Sequence, residues 1–191
     1  MDPSSAITTV IRARRTHKQF TGAPVSRLQL DDLLELASWA PTHRLSEPWR
    51  FAVLDQAAIA RLGEYLRFEP EIAAVPDPAK GAAKLAKLLE RLPSLGAMVQ
   101  VTWMRAGDTA IDLEDHAAAA AAVQNLLLAA TARGLGSFWS TSSALGHPKT
   151  LAWCGCDPHR EGFLGSIWLG LPADAPPPPP RRPLTERVRW L

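Results

Sequence analysis

The stretch that decides the fold is Leu113–Gly136, LEDHAAAAAAVQNLLLAATARGLG. It predicts one long helix from about Leu113 to Arg133. The tract Ala117–Ala122 and the run Leu126–Ala130 leave it apolar nearly all round, the pattern of a buried helix. Its alanines permit close helix–helix approach, and packing against an identical helix is one way to build a dimer core. Gly134 follows as a C-terminal cap, and Gly136 to Ser140 reads as a strand.

Working toward the N-terminus, Val99 to Met104 reads as another strand. The segment before it is irregular: Glu69-Pro70, Pro76, Pro78 and Pro93 cut it into short pieces. Within it, Ala79–Leu92 predicts a basic amphipathic helix with Leu85, Leu88, Leu89 and Leu92 on one side. A solvated face on a substrate-binding lid, spanning about 69–96, is favoured over a membrane-surface helix. Asp55 can cap a helix running to about Arg67, and Trp49 to Leu54 reads as a buried strand. Ser26 and Gln29 form a capping box for a helix carrying Leu30, Leu33, Leu34, Ala37 and Ala40, which Pro41 ends. Residues 4–14 predict a first helix with Ile7, Val10 and Ile11 at helical spacing. Toward the C-terminus come a short helix Pro148–Trp153, a strand Phe163–Leu169, an extended connector Ala175–Pro180 and a basic tail, together an arm over 175–191.

The first helix delivers the run Arg14-Arg15-Thr16-His17-Lys18. Guanidinium forks grip phosphate oxygens in bidentate fashion, and a hydroxyl and an ammonium fill the remaining acceptors. Read alone, the same cations are an ordinary helix end complementing the macrodipole. The turn Ala40-Pro41-Thr42-His43, close before Pro48-Trp49, sets a hydroxyl and an imidazole beside aromatic surface. A phosphate grip plus such a corner is what an organic cofactor with a phosphate tail needs.

The composition narrows the field. At 191 residues and 47% hydrophobic, the chain suits one domain, 1–191. A formal net charge of +2 argues against nucleic acid or an anionic membrane as the main partner, and Arg12–Lys18 lacks interleaved aromatics. No window reaches the length of a membrane span, and the start lacks a secretory pattern; a cytoplasmic protein is the expectation. Cys154 and Cys156 read as reduced thiols at a helix end, too close together for disulfide geometry. Asp112, Glu114, Asp115 and His116 read as an acidic helix start rather than a metal site. GxGxxG and GxxxxGK[ST] are both absent, which disfavours Rossmann and P-loop readings. On the residues alone Trp39 belongs with the apolar stripe of its helix, and Trp103, Trp153, Trp168 and Trp190 with core or interface packing.

In this order the motifs resemble those of the FMN-dependent nitroreductase family, most nearly its short, minimal bacterial branch. They are Arg14–Lys18 with Phe20 and Pro24-Val25; Ala40-Pro41-Thr42-His43 with Pro48-Trp49-Arg50-Phe51; Gly134-Leu135-Gly136 with Trp139; and Leu169-Gly170 with Arg181–Leu184. The resemblance implies an α+β, three-layer fold with a mixed, mostly antiparallel sheet flanked by helices, in an intertwined homodimer with FMN at the interface. It implies that Arg14, Arg15, Thr16 and Lys18 bind phosphate and ribityl oxygens. Trp39 and His43 would reach the flavin from the partner subunit, Pro41 and Thr42 would also bind the cofactor, Trp139, Ser140 and Thr141 would line it, and Arg182 would add a cation. The turn Thr131, Ala132, Arg133, Gly134, Leu135 and Gly136 would lie near NADH or NADPH. Chemistry would run on the flavin in ping-pong fashion through N5, with Lys18 or His43 as a tuning donor. The acceptor would be a small nitroaromatic, quinone or related compound. Alternatives are a non-catalytic FMN- or nucleotide-binding module and a flavin reductive dehalogenase or enone reductase. Leu45 and Glu47 depart from the family, many of whose members carry Asn and Gln in that loop.

Overall fold

The computed structural model describes residues 3–73 and 78–191; Pro76, one of the breaks named above, lies outside them. Among the described residues are six α-helices and four strands: α1 Pro3–Ala13, α2 Arg27–Ser38, β1 Trp49–Leu54, α3 Gln56–Phe68, α4 Pro78–Arg91, β2 Ala97–Met104, α5 Thr109–Ala132, β3 Gly136–Ser140, α6 Pro148–Trp153 and β4 Glu161–Gly170. The expected α+β architecture is present. The sheet runs β1-β2-β4-β3 with every neighbouring pair antiparallel. Among the described residues the parallel contribution is a single bridge, Thr16 to Ser137.

Alternation along the central strands explains the three layers. Val99, Val101, Ile167 and Leu169 point to one face, where α2 and α5 pack with Leu30, Leu33, Ala122 and Leu126. Met98 and Trp168 point to the other, against Leu62, Leu66, Leu88 and Leu92 of the α3–α4 layer. The sheet is covered on both sides, so its inner strands are apolar on both faces. Buried Gln100 donates from Nε2 to the Leu145 carbonyl at 2.9 Å, and Ser166 Oγ donates to its Oε1, so its amide is satisfied.

Local chemistry fixes the helix ends. The Gln29 N–H donates to Ser26 Oγ at 3.3 Å while the Ser26 N–H donates to Gln29 Oε1 at 3.0 Å, closing the capping box. Gly134, at φ +72°, ends α5: its N–H donates to the Thr131 carbonyl and that of Leu135 to Ala130, the paired bonds of a Schellman turn. The α5 helix starts earlier than its apolar pattern, because Asp108 Oδ1 accepts from the N–H groups of Ala110 and Ile111. The cluster 112–116 therefore lies inside the helix and its members have separate partners. Asp112 accepts from Trp103 Nε1 at 3.1 Å, and buried Asp115 accepts from Ser46 Oγ at 2.6 Å.

Two sequence expectations need correction. Trp39 is 76% exposed and donates Nε1 to Glu35, and Trp190 is 94% exposed; neither is core within this chain. Ile7 and Ile11 of α1 are likewise exposed, so the stripe that predicted the helix is left uncovered by its own chain. Periodicity reports an apolar face but not which molecule covers it.

Cys154 and Cys156 follow α6 on either side of Gly155, whose φ of +82° makes the turn. Burial pushes the Cys154 thiol up to about 12 and that of Cys156 up to about 11. Both lie far above the ordinary value of about 8.5, so both are protonated and weakly nucleophilic at neutral pH. Their raised pKa carries a pH dependence. An unfolded thiol ionises from about pH 8.5, while the folded one keeps its proton, so the unfolded state binds fewer protons and stability falls with rising pH. The contribution is whole below that value and is lost as pH climbs toward the folded values of 11 and 12. A thiol reagent at pH 8 is expected to react slowly with native protein and fully with two thiols after denaturation; fast native reaction would contradict the burial.

Candidate functional site

The basic run sits just past α1, where the chain turns along the sheet edge. The His17 N–H donates to the Ser137 carbonyl at 3.0 Å, which seats the run on β3. His17 Nδ1 also pairs with Asp174 at 3.1 Å, and the Ala173 N–H donates to the Gln19 carbonyl, which lays the start of the C-terminal arm beside it. Between run and arm lies a cavity of about 420 Å³, lined by Arg14, Arg15, Thr16 and Lys18 and by Pro176, Pro177 and Pro179. The two arginines do different things. Arg15 Nη1 donates to the carbonyls of Arg12 at 2.6 Å and Arg14 at 2.9 Å, holding the helix end. The guanidinium of Arg14 has no such partner among the described residues.

This cavity opens into two more. Thr16, Lys18 and Pro176 are shared with a neighbouring space of about 690 Å³ that also contacts Arg91 and Ser94. Arg91 is shared in turn with a space of about 440 Å³ beside the end of β3. There Ser140, Thr141 and Ser142 face Lys84 and Lys87 of α4, over Phe138 and Trp168. Lys18 Nζ stands 5.7 Å from the Phe138 ring centroid, a cation–π contact between the two ends. The three spaces follow one another along the β3 edge through these shared lining residues, as a groove with cations at both ends and hydroxyls added at the far one.

The sequence-predicted residues fall into five places. Arg14, Arg15, Thr16, Lys18, Ser140 and Thr141 line the groove. Trp139 does not: its Nε1 donates to the Leu164 carbonyl at 3.0 Å and its ring packs in the α2–α5 layer. Arg182 is exposed on the arm beyond the groove. Trp39, Pro41, Thr42 and His43 lie elsewhere, at the end of α2 and beside the start of α5, where His43 Nδ1 is 3.7 Å from Glu114. The turn Thr131–Gly136 is at the opposite end of α5, with Gly136 against the His17 ring. The twenty residues from Glu114 to Gly134 span about 30 Å of helix, so one chain does not unite the Ala-Pro-Thr-His turn with the basic run. Arg133 pairs with Asp32, and Thr131 Oγ1 donates to the Leu127 carbonyl.

The loop after Pro41 is strained. Arg44, Leu45 and Glu47 have φ of 52°, 55° and 42°, the left-handed region that costs a non-glycine residue about 1 kcal/mol or more. A hydrogen-bond chain holds it. Thr42 Oγ1 and Ser46 Oγ are 2.9 Å apart, Ser46 Oγ donates to Asp115, and the Glu47 N–H donates to Thr42 Oγ1 at 3.1 Å. Leu45, 82% exposed, projects from it. Sequence reading gave Ala79–Leu92 as a basic helix of a lid but did not name its Lys84, Lys87 and Arg91 as site residues, and the structure sets them at the groove. The signal was their spacing, i, i+3, i+7, which places them on one helix face.

An antiparallel sheet between two helical layers, with cation-lined spaces along one edge strand, defines an α+β protein with a candidate anion-binding site. The chain matches the family model described as "Nitroreductase family" over residues 11–170, and it belongs to that family. It is 29% identical over 185 residues to "Putative NAD(P)H nitroreductase YfhC" of Bacillus subtilis, covering 96% of this chain and 93% of that one. The crystal structure of the "Nitroreductase-like Family Protein" from Bacillus cereus superposes with a TM-score of 0.85 at 27% identity, covering 97% of this chain and 95% of that one. A "putative nitroreductase in complex with fmn" from Desulfovibrio desulfuricans superposes at 0.76 with 27% identity, covering 100% and 98%.

Proposed function

We propose that the chain is an FMN-dependent NAD(P)H oxidoreductase that works as a homodimer and reduces electron-poor acceptors such as nitroaromatics and quinones. The observation that carries this reading is the β3-edge groove. A phosphate fits its proximal end, where Arg14 and Lys18 offer charged donors without a carboxylate partner and Thr16 offers a hydroxyl. Relatives bearing FMN and NAD(P)H in their names support the cofactor and the donor.

Bound there, FMN would accept two electrons from NADH or NADPH and deliver them to an acceptor in a second half-reaction. The protein's part is binding and orientation. Arg14, Thr16 and Lys18 hold the phosphate end, Arg15 keeps the helix end that presents them, and Ser140 and Thr141 bound the far end. Lys18, on Phe138, is placed to add positive charge toward the ring, which favours the reduced, anionic cofactor. Trp139 acts indirectly, by packing under Ser140. Arg182 adds its charge only if the arm swings inward.

What the single chain leaves uncovered supports the homodimer. Leu113, Ala117, Gln124 and Ala132 form an exposed stripe along α5, apolar but for Gln124, and Ile7, Ile11 and Trp39 extend that surface. Two copies packed antiparallel along α5 would carry Trp39, Pro41, Thr42 and His43 of one to the basic run of the other, closing the 30 Å gap. The turn Thr131–Gly136 would then border the entry for NADH or NADPH, and α4 the acceptor side, as a lid. We place the protein in the cytoplasm, where both nicotinamides are supplied; no described helix is long and apolar enough to cross a membrane.

Purified protein is expected to be yellow, dimeric by light scattering, and bleached by NADH or NADPH without oxygen. Colourless protein that takes up no added FMN would overturn the flavin reading. Yellow protein that neither nicotinamide reduces would leave the binding module, which the loss of loop amides at Leu45 and Glu47 favours.

A further inference from the structure

We propose that the far end of the groove selects acceptors carrying a negative charge, with Lys84, Lys87 and Arg91 of α4 as the recognition face. The inference rests on reading the groove as the redox site and deepens it to a substrate class. The three residues occupy one face of α4 at i, i+3 and i+7 and line the spaces at the end of β3. None pairs with a carboxylate among the described residues, whereas Lys149 is held by Glu69 and Glu71, each at 3.0 Å. The helix face is fixed in place, because Leu88 and Leu92 are buried in the layer beneath. That burial also consumes the apolar face a membrane-binding helix would need.

A second observation points to a ligand at the same place. Trp168 lines this space, is 2% exposed, and its Nε1–H has no acceptor. A buried indole N–H usually finds a partner. Phe138, half-buried and set edge-on to Trp168, gives an aromatic acceptor apolar surface to lie against. A carboxylate on that acceptor meets ammonium and guanidinium groups. At about 440 Å³ the space admits a single-ring compound. The reaction served is ArNO2 + NAD(P)H + H⁺ → ArNO + NAD(P)⁺ + H2O. One N–O bond breaks, and the hydride and the proton leave with the oxygen as water.

The test compares 4-nitrobenzoate with its neutral analogue 4-nitrobenzamide on the FMN-loaded protein. Calorimetric binding reads it independently of turnover. The wild-type protein is expected to bind the benzoate about tenfold more tightly than the amide, a preference that shrinks with added salt. In the Lys84→Gln/Lys87→Gln double variant that preference is expected to disappear, and the ratio of kcat/KM values to fall in step. Equal binding of the two acceptors by the wild type would overturn the inference, as would a preference the variant retains. A variant whose only change is weaker use of NADPH relative to NADH would also overturn it, assigning the cations to the donor's 2′-phosphate. Failure of any nicotinamide to reduce the protein would instead sink the enzyme reading, with the binding comparison still deciding this one.

Discussion

Arg14→Ala is expected to release FMN while the protein stays folded. The Arg14 N–H donates to the Val10 carbonyl at 3.0 Å, an interaction alanine keeps. Its guanidinium lines the proximal cavity without a protein partner, so no buried group is orphaned by truncation. A hydrogen bond to a charged group contributes about 1.5–3 kcal/mol, and loss of one such contact weakens FMN by roughly 10- to 100-fold. Arg15→Ala should behave in reverse. Its side chain serves the carbonyls of Arg12 and Arg14, so the larger loss should be thermal stability. Fluorescence titration of apoprotein with FMN, alongside thermal unfolding, separates the two. Unchanged affinity in Arg14→Ala, or equal behaviour of both variants, would move the phosphate elsewhere.

How far the sequence reached depended on whether the signal was local. The capping box at Ser26 and Gln29, the stop at Pro41 and the glycine turn at Gly134 are each settled within a few residues, and each was legible. So was the basic run, because adjacent residues need no fold to be adjacent. The start of α5 was misplaced because a capping aspartate, Asp108, outranks the apolar pattern that begins later. Trp39 was misjudged because a stripe does not name the molecule that covers it. The groove itself was out of reach. It joins Lys84 and Arg91 to Ser140 and Ser142, about fifty residues apart, through a strand order in which β3 pairs with β4. The left-handed backbone at Arg44, Leu45 and Glu47 was equally hidden, since none of these residues advertises it as glycine or asparagine would.

The same non-local packing makes Gly165→Ala a strongly damaging small substitution. Between Val101 and Thr102 the β2–β4 register slips: Val101 faces Gly165 and Thr102 faces Phe163, leaving Leu164 as the extra residue of a bulge. The bulge turns the Leu164 carbonyl to accept from Trp139 Nε1. The indole then lies across Gly165, where an added Cβ would stand 2.2 Å from Nε1 and 2.5 Å from Cδ1. No rotation of a methyl group relieves that contact; the indole or the strand must move. With Trp139 displaced, its hydrogen bond breaks and Ser140, next in the chain, loses its support at the groove. Overpacking of this kind costs about 3 kcal/mol, a fall of roughly 6–12 °C in Tm for a chain of this size. Gly134→Ala supplies the contrast. It meets nothing within 4 Å, so its only penalty is φ +72°, about 1 kcal/mol and roughly 2–4 °C. Gly165 itself lies at φ +153°, so its alanine variant adds a steric cost to a conformational one, while Gly134→Ala carries the conformational cost alone. If Gly165→Ala melts no lower than Gly134→Ala, Trp139 is free to shift, and its place beneath the groove is not what holds β3 in register.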